Sequence, residues 1–413
     1  MPKCAKKTTS AIAKAMGKVS SVGAWSKTEP PRVLRTCVTS LNRGFRIGGI
    51  PTGMVGVFHG PSQGGKTILG TEVLRAAVAT GGFGLLCDTE MRSNDMDWFK
   101  ALHGSEALDL IFRWPEIDEK GDEEPRTYQS CVDKVQKVRK IFRKLKEDNE
   151  IPEEAFFAFV VDSIDRLIPE EELEDFEKNG IKGRGYPLRA MMNSLWLDKL
   201  VNTLRKDEVA VFIVRESTKI DAGPYQRKWK MRGGKALEFD SGWIVRVGSG
   251  DEGASSNTTI QVALPGHKDK VKIGEKHDLF IRKSSTSNKL GQRGCFFIGS
   301  GLSDEMPLGF DRAREIREEA ITRKVLVKLT ANKDRKAGYY LTPEAAAAMG
   351  IDVSTGVASR DKLTGWIGST PGLIEKFSAY LNGEAVSWAE LDDPSVVVDD
   401  ESEGNVSSSG ENE

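Results

Sequence analysis

No apolar run in this chain approaches the ~18 residues that a membrane span needs, so a membrane partner is not expected and the sequence reads as cytoplasmic. Net charge is nearly absent as well: 60 Lys and Arg stand against 61 Asp and Glu. Bulk charge therefore says nothing about a nucleic-acid partner, and only local charge can. Cysteine is scarce. Cys4, Cys37, Cys87, Cys131 and Cys295 form an odd set with no pair at metal or redox spacing. That pattern disfavours a disulfide scaffold and a cysteine-based zinc site, and it reads as reduced thiols. Residues 1–7 are basic, but no apolar signal core follows them, so no secretory leader is expected.

What charge there is gathers at the ends. Residues 1–36 carry eight Lys or Arg against one acid, Glu29. Within them, Ile12, Ala13, Met16 and Val19 recur at helical spacing, which predicts a short helix over 10–19. Residues 390–413 hold nine Asp or Glu and no Lys or Arg. Their Ser, Gly and Asn content cannot bury a core, so an acidic disordered tail is expected over 389–413.

Between the ends, short apolar runs alternate with helical patterns. Runs at 54–59, 83–87, 156–161 and 209–214 lack polar alternation, as strands covered on both faces do. Helical spacing fills 67–80, 128–146 and 188–204. The order predicts an α/β domain with a mostly parallel central sheet and crossover helices. From about residue 301 the texture changes. Residues 312–329, 342–349 and 362–380 look helical, which suggests a small C-terminal α/β domain over 301–388.

The first strand runs into Gly60-Pro61-Ser62-Gln63-Gly64-Gly65-Lys66-Thr67, which fits the phosphate-loop pattern G-x-x-x-x-G-K-[ST]. Glycines let successive backbone N–H groups turn toward a phosphate, and the following helix adds its positive end. Lys66 would reach the β- and γ-phosphates, and the Thr67 hydroxyl would ligate Mg2+. ATP and Mg2+ are the expected ligands. Asp162 ends the third apolar run, where such enzymes keep a second Mg2+-associated acid. Glu90, in Asp88-Thr89-Glu90, ends the strand after the loop's helix and is the candidate base that deprotonates water.

These residues resemble the RecA family of DNA strand-exchange recombinases, including its phage UvsX-like members. The likeness also rests on Thr39-Ser40-Leu41-Asn42-Arg43-Gly44, Gly48-Gly49-Ile50-Pro51-Thr52-Gly53, Val160-Val161-Asp162-Ser163, Arg189-Ala190-Met191-Met192 and Gly233-Gly234-Lys235-Ala236-Leu237. It implies a RecA-type P-loop NTPase core over 37–300, preceded by a helical arm at 1–36 that docks on the next subunit. It also implies an ATP-dependent filament of many copies on single-stranded DNA. That filament pairs its strand with double-stranded DNA, with single-strand-binding and loader proteins as further partners. By the same likeness Asp95 and Trp98 fall where the family contacts adenine. Arg282, Lys283 and Lys289 are candidates for reaching a neighbouring subunit's nucleotide. Many members carry Gln at the end of the strand over 209–214 to sense the γ-phosphate; here the residue is Arg215, which stays a candidate catalytic residue and phosphate contact.

Two segments lack a core pattern and follow sheet strands on the nucleotide side. Residues 169–187 include Lys178, Lys182, Arg184 and Tyr186, with Arg189 just beyond. Residues 216–234 include Lys219, Tyr225, Arg227, Lys228, Trp229, Lys230, Arg232, Gly233 and Gly234. Cations interleaved with aromatic rings suit a single-strand groove, with charge for phosphates and rings for bases. Two other readings stay open: a closed-ring motor on the same fold, and a scaffold that holds ATP but barely turns it over.

Overall fold

A computed structural model describes residues 31–90, 96–115, 125–180, 188–218, 229–248, 259–263, 269–286, 292–303, 306–331, 336–352 and 356–382. The expected helix over 10–19 and the acidic tail lie outside these residues. The chain divides into two compact units, Met1–Ile316 and Arg317–Glu413.

The first unit opens with β1 (Val33–Leu34), α1 (Thr39–Gly44), β2 (Ile50–Pro51), β3 (Val55–Gly60), α2 (Lys66–Val78) and β4 (Phe83–Asp88). It continues through α3 (Met96–His103), α4 (Ser105–Leu108), β5 (Ile111–Trp114), α5 (Tyr128–Glu147), β6 (Phe157–Asp162) and α6 (Glu170–Asn179). Then come α7 (Leu188–Thr203), β7 (Glu208–Thr218), β8 (Trp229–Met231), α8 (Lys235–Asp240) and β9 (Trp243–Val247). It closes with β10 (Thr259–Val262), β11 (Val271–Ser284), β12 (Arg293–Gly299) and β13 (Gly309–Phe310). Strands β5, β4, β6, β7, β3 and β9 lie side by side and parallel. Beyond β9 the sheet turns antiparallel through β11, β12 and β13, with β10 on β11 and β8 on β7. The sheet is therefore mixed, and its larger part is parallel.

Every residue of β3, β4 and β6 is buried, as continuous apolar runs require in a sheet covered on both faces. The two-residue period sends alternate side chains to opposite sides. From β6 and β7, Ala158, Val160, Val209, Val211 and Ile213 join the core under α2, with Leu69, Val73 and Leu74. Phe157, Phe159, Val161, Ala210, Phe212 and Val214 join the core under α5 and α7, with Val135, Phe142, Trp196 and Leu200. Each large side chain so buried contributes roughly 1.5–3 kcal/mol. Strand β3 must itself be small at one point: a Cβ on Gly56 would sit 1.9 Å from the Trp243 ring of β9. Trp243 is fully buried and contacts Phe45 edge-on at 5.5 Å between centroids.

The division after Ile316 falls later than residue 301, because β13 still pairs with β12 of the large sheet. Helix α9 (Arg312–Thr322) contains it. The helical reading of 312–329 is corrected: the helix stops at Thr322, Lys324 takes a positive φ of 58°, and Leu326–Leu329 forms β14. Strand β14 pairs antiparallel with β15 (Gly338–Leu341). Helix α10 (Pro343–Met349) follows, capped by the Thr342 side chain, which accepts from Ala345 N. Residues 362–380 form two helices, α11 (Arg360–Ser369) and α12 (Leu373–Leu381), with Leu363, Ile367, Phe377 and Tyr380 buried.

Candidate nucleotide site and nucleic-acid interface

Parallel register brings four strand ends together. Gly60 of β3 pairs with Arg215 of β7, Asp162 of β6 with Ile213, and Asp88 of β4 with Asp162. Chemistry at the carboxyl ends of parallel strands lies where open α/β sheets bind ligands. From Gly60 the chain turns through Gln63 (φ 60°) and Gly65 (φ 90°) into α2. Gly65 is needed for space as well as for its φ. A Cβ there would meet Phe296 at 2.9 Å and His277 at 3.0 Å. No side chain caps the start of α2, so its first N–H groups keep their donor capacity toward the loop.

Lys66 is buried, and its Nζ donates to the carbonyls of Gly60 at 3.1 Å and Pro61 at 2.5 Å. Burial lowers the Lys66 ammonium from its usual range, against the pull of Asp162, Glu216 and Glu90. The Thr67 hydroxyl donates to Asp162 Oδ2. Burial pushes the Asp162 carboxyl up to about 6, and the nearby Glu90 and Asp88 push the same way, while Thr67 and Lys66 oppose them. A hydroxyl and a carboxylate with a charge to relieve fit Mg2+, which takes oxygen ligands and draws the rest from phosphates and water.

Glu90 lies at the next strand end. Its Oε1 accepts from Ser163 Oγ at 2.8 Å, from Arg215 Nε at 2.8 Å and from Arg215 Nη2. Arg166 Nε lies 4.0 Å away. Thr89 locks the two strand ends together, its N–H donating to the Asp162 carbonyl at 2.8 Å and its Oγ1 accepting from Ser163 N at 2.8 Å. The Asp162–Ser163 peptide is cis.

A cleft of about 350 Å³ opens above the loop. Residues 62–68, Glu90, Asp162, Ser163, Ile213 and Arg215 line it, and so do Lys272, Glu275 and His277 of β11. Sequence reasoning missed the β11 group. His277 stacks on Phe296 at 4.9 Å between centroids and has a backbone hydrogen bond with Gly64. Burial lowers its imidazole from the usual range. A signal was present: the chain has four histidines, and His59, His103 and His277 are all buried. His59 precedes the loop. Its Nδ1 lies 2.9 Å from Glu216 Oε1, and Glu216 also pairs with Arg246 at 2.9 Å.

Of the adenine candidates, Trp98 is half-buried on α3 and packed on the core, and Asp95 lies outside the described residues. Lys283 Nζ donates to the carbonyls of Glu238 at 3.1 Å and Phe239 at 2.6 Å, at the end of α8. Arg282 stacks over Phe280 with its Cζ 5.5 Å from the ring centroid. Neither lines the cleft of its own chain, and Lys289 lies outside the described residues.

The segment over 169–187 is not wholly irregular, because it begins as α6, none of whose residues is buried. Arg189 donates from Nε at 3.0 Å and from Nη2 at 2.5 Å to Glu172 of that helix. The structure thus places Arg189 against a carboxylate. Lys182, Arg184 and Tyr186 lie outside the described residues. In the second segment β7 runs on to Thr218 and β8 returns beside it, pairing Glu216 with Met231, Ser217 with Lys230 and Thr218 with Trp229. Arg232 N then donates to the Arg215 carbonyl at 3.0 Å. Lys230 and Arg232 are exposed. Gly233 and Gly234 take φ of 91° and 92°, and Gly233 O accepts from Asn193 Nδ2 at 2.7 Å. Lys219, Tyr225, Arg227 and Lys228 lie outside the described residues.

No family model matches the chain. Curated relatives do. The chain is 27% identical to Protein RecA of Chlamydia felis over 260 residues, 61% of this chain and 65% of that one. It is 28% identical to Protein RecA of Chlamydia trachomatis serovar D over the same shares. To Protein RecA of Chlamydia pneumoniae it is 26% identical over 365 residues, 81% of this chain and 93% of that one. The first of these alignments spans just under two thirds of the relative's length. The glycine-rich loop and the strand-end carboxylates gathered on a largely parallel sheet thus stand in a chain that is similar, over most of its length, to proteins named RecA.

Proposed function

We propose that this chain is an ATP-dependent recombinase that assembles along single-stranded DNA, hydrolyses ATP faster when DNA is bound, and pairs the strand with a homologous duplex. One observation carries the reading. Lys66, Thr67, Asp162 and Glu90 converge in the cleft from which the cationic β7–β8 hairpin leaves, at Arg215. The candidate nucleotide site and the candidate nucleic-acid segment share one strand end, which supports the reading.

In this reading the loop N–H groups and Lys66 hold the phosphates, while Thr67 and Asp162 hold Mg2+. Mg2+ supplies charge neutralisation on the phosphate oxygens. Glu90 orients a water and takes its proton as it attacks the γ-phosphorus, with ADP leaving. Trp98 and Asp95 flank the base. Arg282, Lys283 and Lys289 reach the nucleotide of an adjoining copy, for which Lys283 must give up the α8 carbonyls. Exposed Lys230 and Arg232, with Lys219, Tyr225, Arg227, Lys228 and Trp229 of the same hairpin and Lys182, Arg184 and Tyr186 of the other segment, bind DNA. The arm over 1–36 joins subunits, and the unit beyond 317 with its acidic tail tunes duplex access. The work is done in the cytoplasm of a bacterium or a phage-infected host. Phosphate release measured with and without single-stranded DNA tests the reading. DNA-stimulated release that Lys66→Ala abolishes is expected; release indifferent to DNA would remove it.

A further inference from the structure

Arg215 stands where the proposed hydrolysis needs an unencumbered base. Both its Nε and its Nη2 reach Glu90 Oε1, and Ser163 Oγ reaches the same oxygen. A carboxylate oxygen offers about two lone-pair sites, so three donors saturate it. A contacting guanidinium also weakens a carboxylate as a proton acceptor. The pair is sheltered: the Glu90 side chain is 9% exposed and that of Arg215 24%. Short charge-assisted bonds of this kind are the strong ones.

The same residue is tied to the hairpin. Its carbonyl accepts from Arg232 N at 3.0 Å, one rung inward from the Glu216–Met231 pair. Glu216 is held by His59, next to Gly60, and by Arg246 of β9. Consecutive residues of β7 therefore grip different parts of the site: Glu216 the root of the phosphate loop, Arg215 the candidate base. The β8 side of the hairpin thus bears on Arg215 directly, through the Arg232 N–H bond to its carbonyl.

We propose that Arg215 is a clamp on Glu90, engaged by default and released when DNA on the β7–β8 hairpin draws the strand end away, so that DNA gates hydrolysis by unmasking the base. Arg215 acts through Glu90 and is a positioning residue. The proposal deepens the reading of Glu90 as base and rests on it.

The test is steady-state ATP hydrolysis by the full chain, with kcat and KM measured with and without single-stranded DNA. Arg215→Gln is expected to raise the DNA-free kcat about fivefold or more, to leave KM within about twofold, and to shrink the stimulation by DNA. The double variant Glu90→Gln with Arg215→Gln should be as slow as Glu90→Gln alone. Arg215→Gln with a lower kcat in both conditions and an unchanged stimulation ratio would overturn the clamp, as would a rise confined to KM, which marks a plain phosphate contact. If Arg215→Gln does not fold, Arg215→Lys keeps the charge without the fork and is expected to move in the same direction; a DNA-free rate at or below wild type overturns the idea. Failure of the underlying reading has its own signature, full turnover by Glu90→Gln.

Discussion

In the proposed reading Lys66 and Glu90 divide the chemistry between binding and reaction, and their variants should fail differently. Lys66→Ala is expected to lose DNA-stimulated phosphate release by about 100-fold or more, together with ATP-dependent DNA binding. Glu90→Gln removes a group needed mainly in the transition state, so hydrolysis should fall by about 10²–10⁴-fold while ATP-dependent assembly on DNA persists. Loss of assembly as well would make Glu90 structural. Glu72 matters for stability instead. Burial would raise Glu72, but bonds from Arg75 and His103 and the Cys37 N–H outweigh it and hold the carboxyl at about 2. Because that value lies below the ordinary 4.5, the stabilisation is complete above pH 4.5 and fades as pH falls toward 2. Glu72→Gln should therefore cost about 3 kcal/mol near pH 7, with the gap to wild type closing below pH 4.5 in urea titrations. A gap that stays constant with pH would contradict the assignment.

At the scale of elements, the hairpin of β7 and β8 is where sequence and structure meet. Its cations and rings were visible in the chain, and the structure adds that its stem starts at Arg215. Trp229 fluorescence should change when single-stranded DNA binds, and Trp229→Ala should weaken binding by about 1–3 kcal/mol if the ring stacks on a base. A spectrally silent Trp229 with DNA bound would argue against contact. The buried parallel strands were legible because burial on both faces leaves no polar alternation, and the phosphate loop because its glycines and Lys66 leave few other uses. Helix α6 was not. It buries nothing, and Phe176 is 56% exposed, so no core face imposes a period on its sequence. Strand β14 was read as helix because it follows α9 with Ile321, Val325 and Leu326 still at helical spacing; only the turn at Lys324 breaks it. The β11 wall of the cleft was also hidden, since the placement of Lys272, Glu275 and His277 beside the loop depends on β11 pairing with β9 and β9 with β3. Strand β3 offers a check on packing: Gly56→Ala drives a methyl group into Trp243 and should destabilise by about 1–3 kcal/mol or more, read as a lowered urea midpoint.

For the whole molecule, the even charge balance conceals a basic start and an acidic end. In the proposed reading the nine Asp and Glu of residues 390–413 would compete with DNA for the cationic segments. Ending the chain after Ser387 should strengthen duplex binding, most at low salt, because the repulsion is screened over about 8–10 Å near physiological ionic strength. Duplex affinities of full-length and shortened protein across a salt series give the answer, and parallel, equal curves would leave the tail a passive solubiliser. The two cations proposed to reach a neighbouring copy were the least legible. Arg282 and Lys283 carry charge suited to a neighbour's nucleotide, yet in one chain they turn to Phe280 and the α8 carbonyls. The central claim is assembly on DNA driven by ATP, and electron microscopy of the full chain with ATP and single-stranded DNA tests it most directly. Open helical filaments that vanish with Lys66→Ala are the predicted result; closed rings, or no assembly with the intact protein, would contradict it.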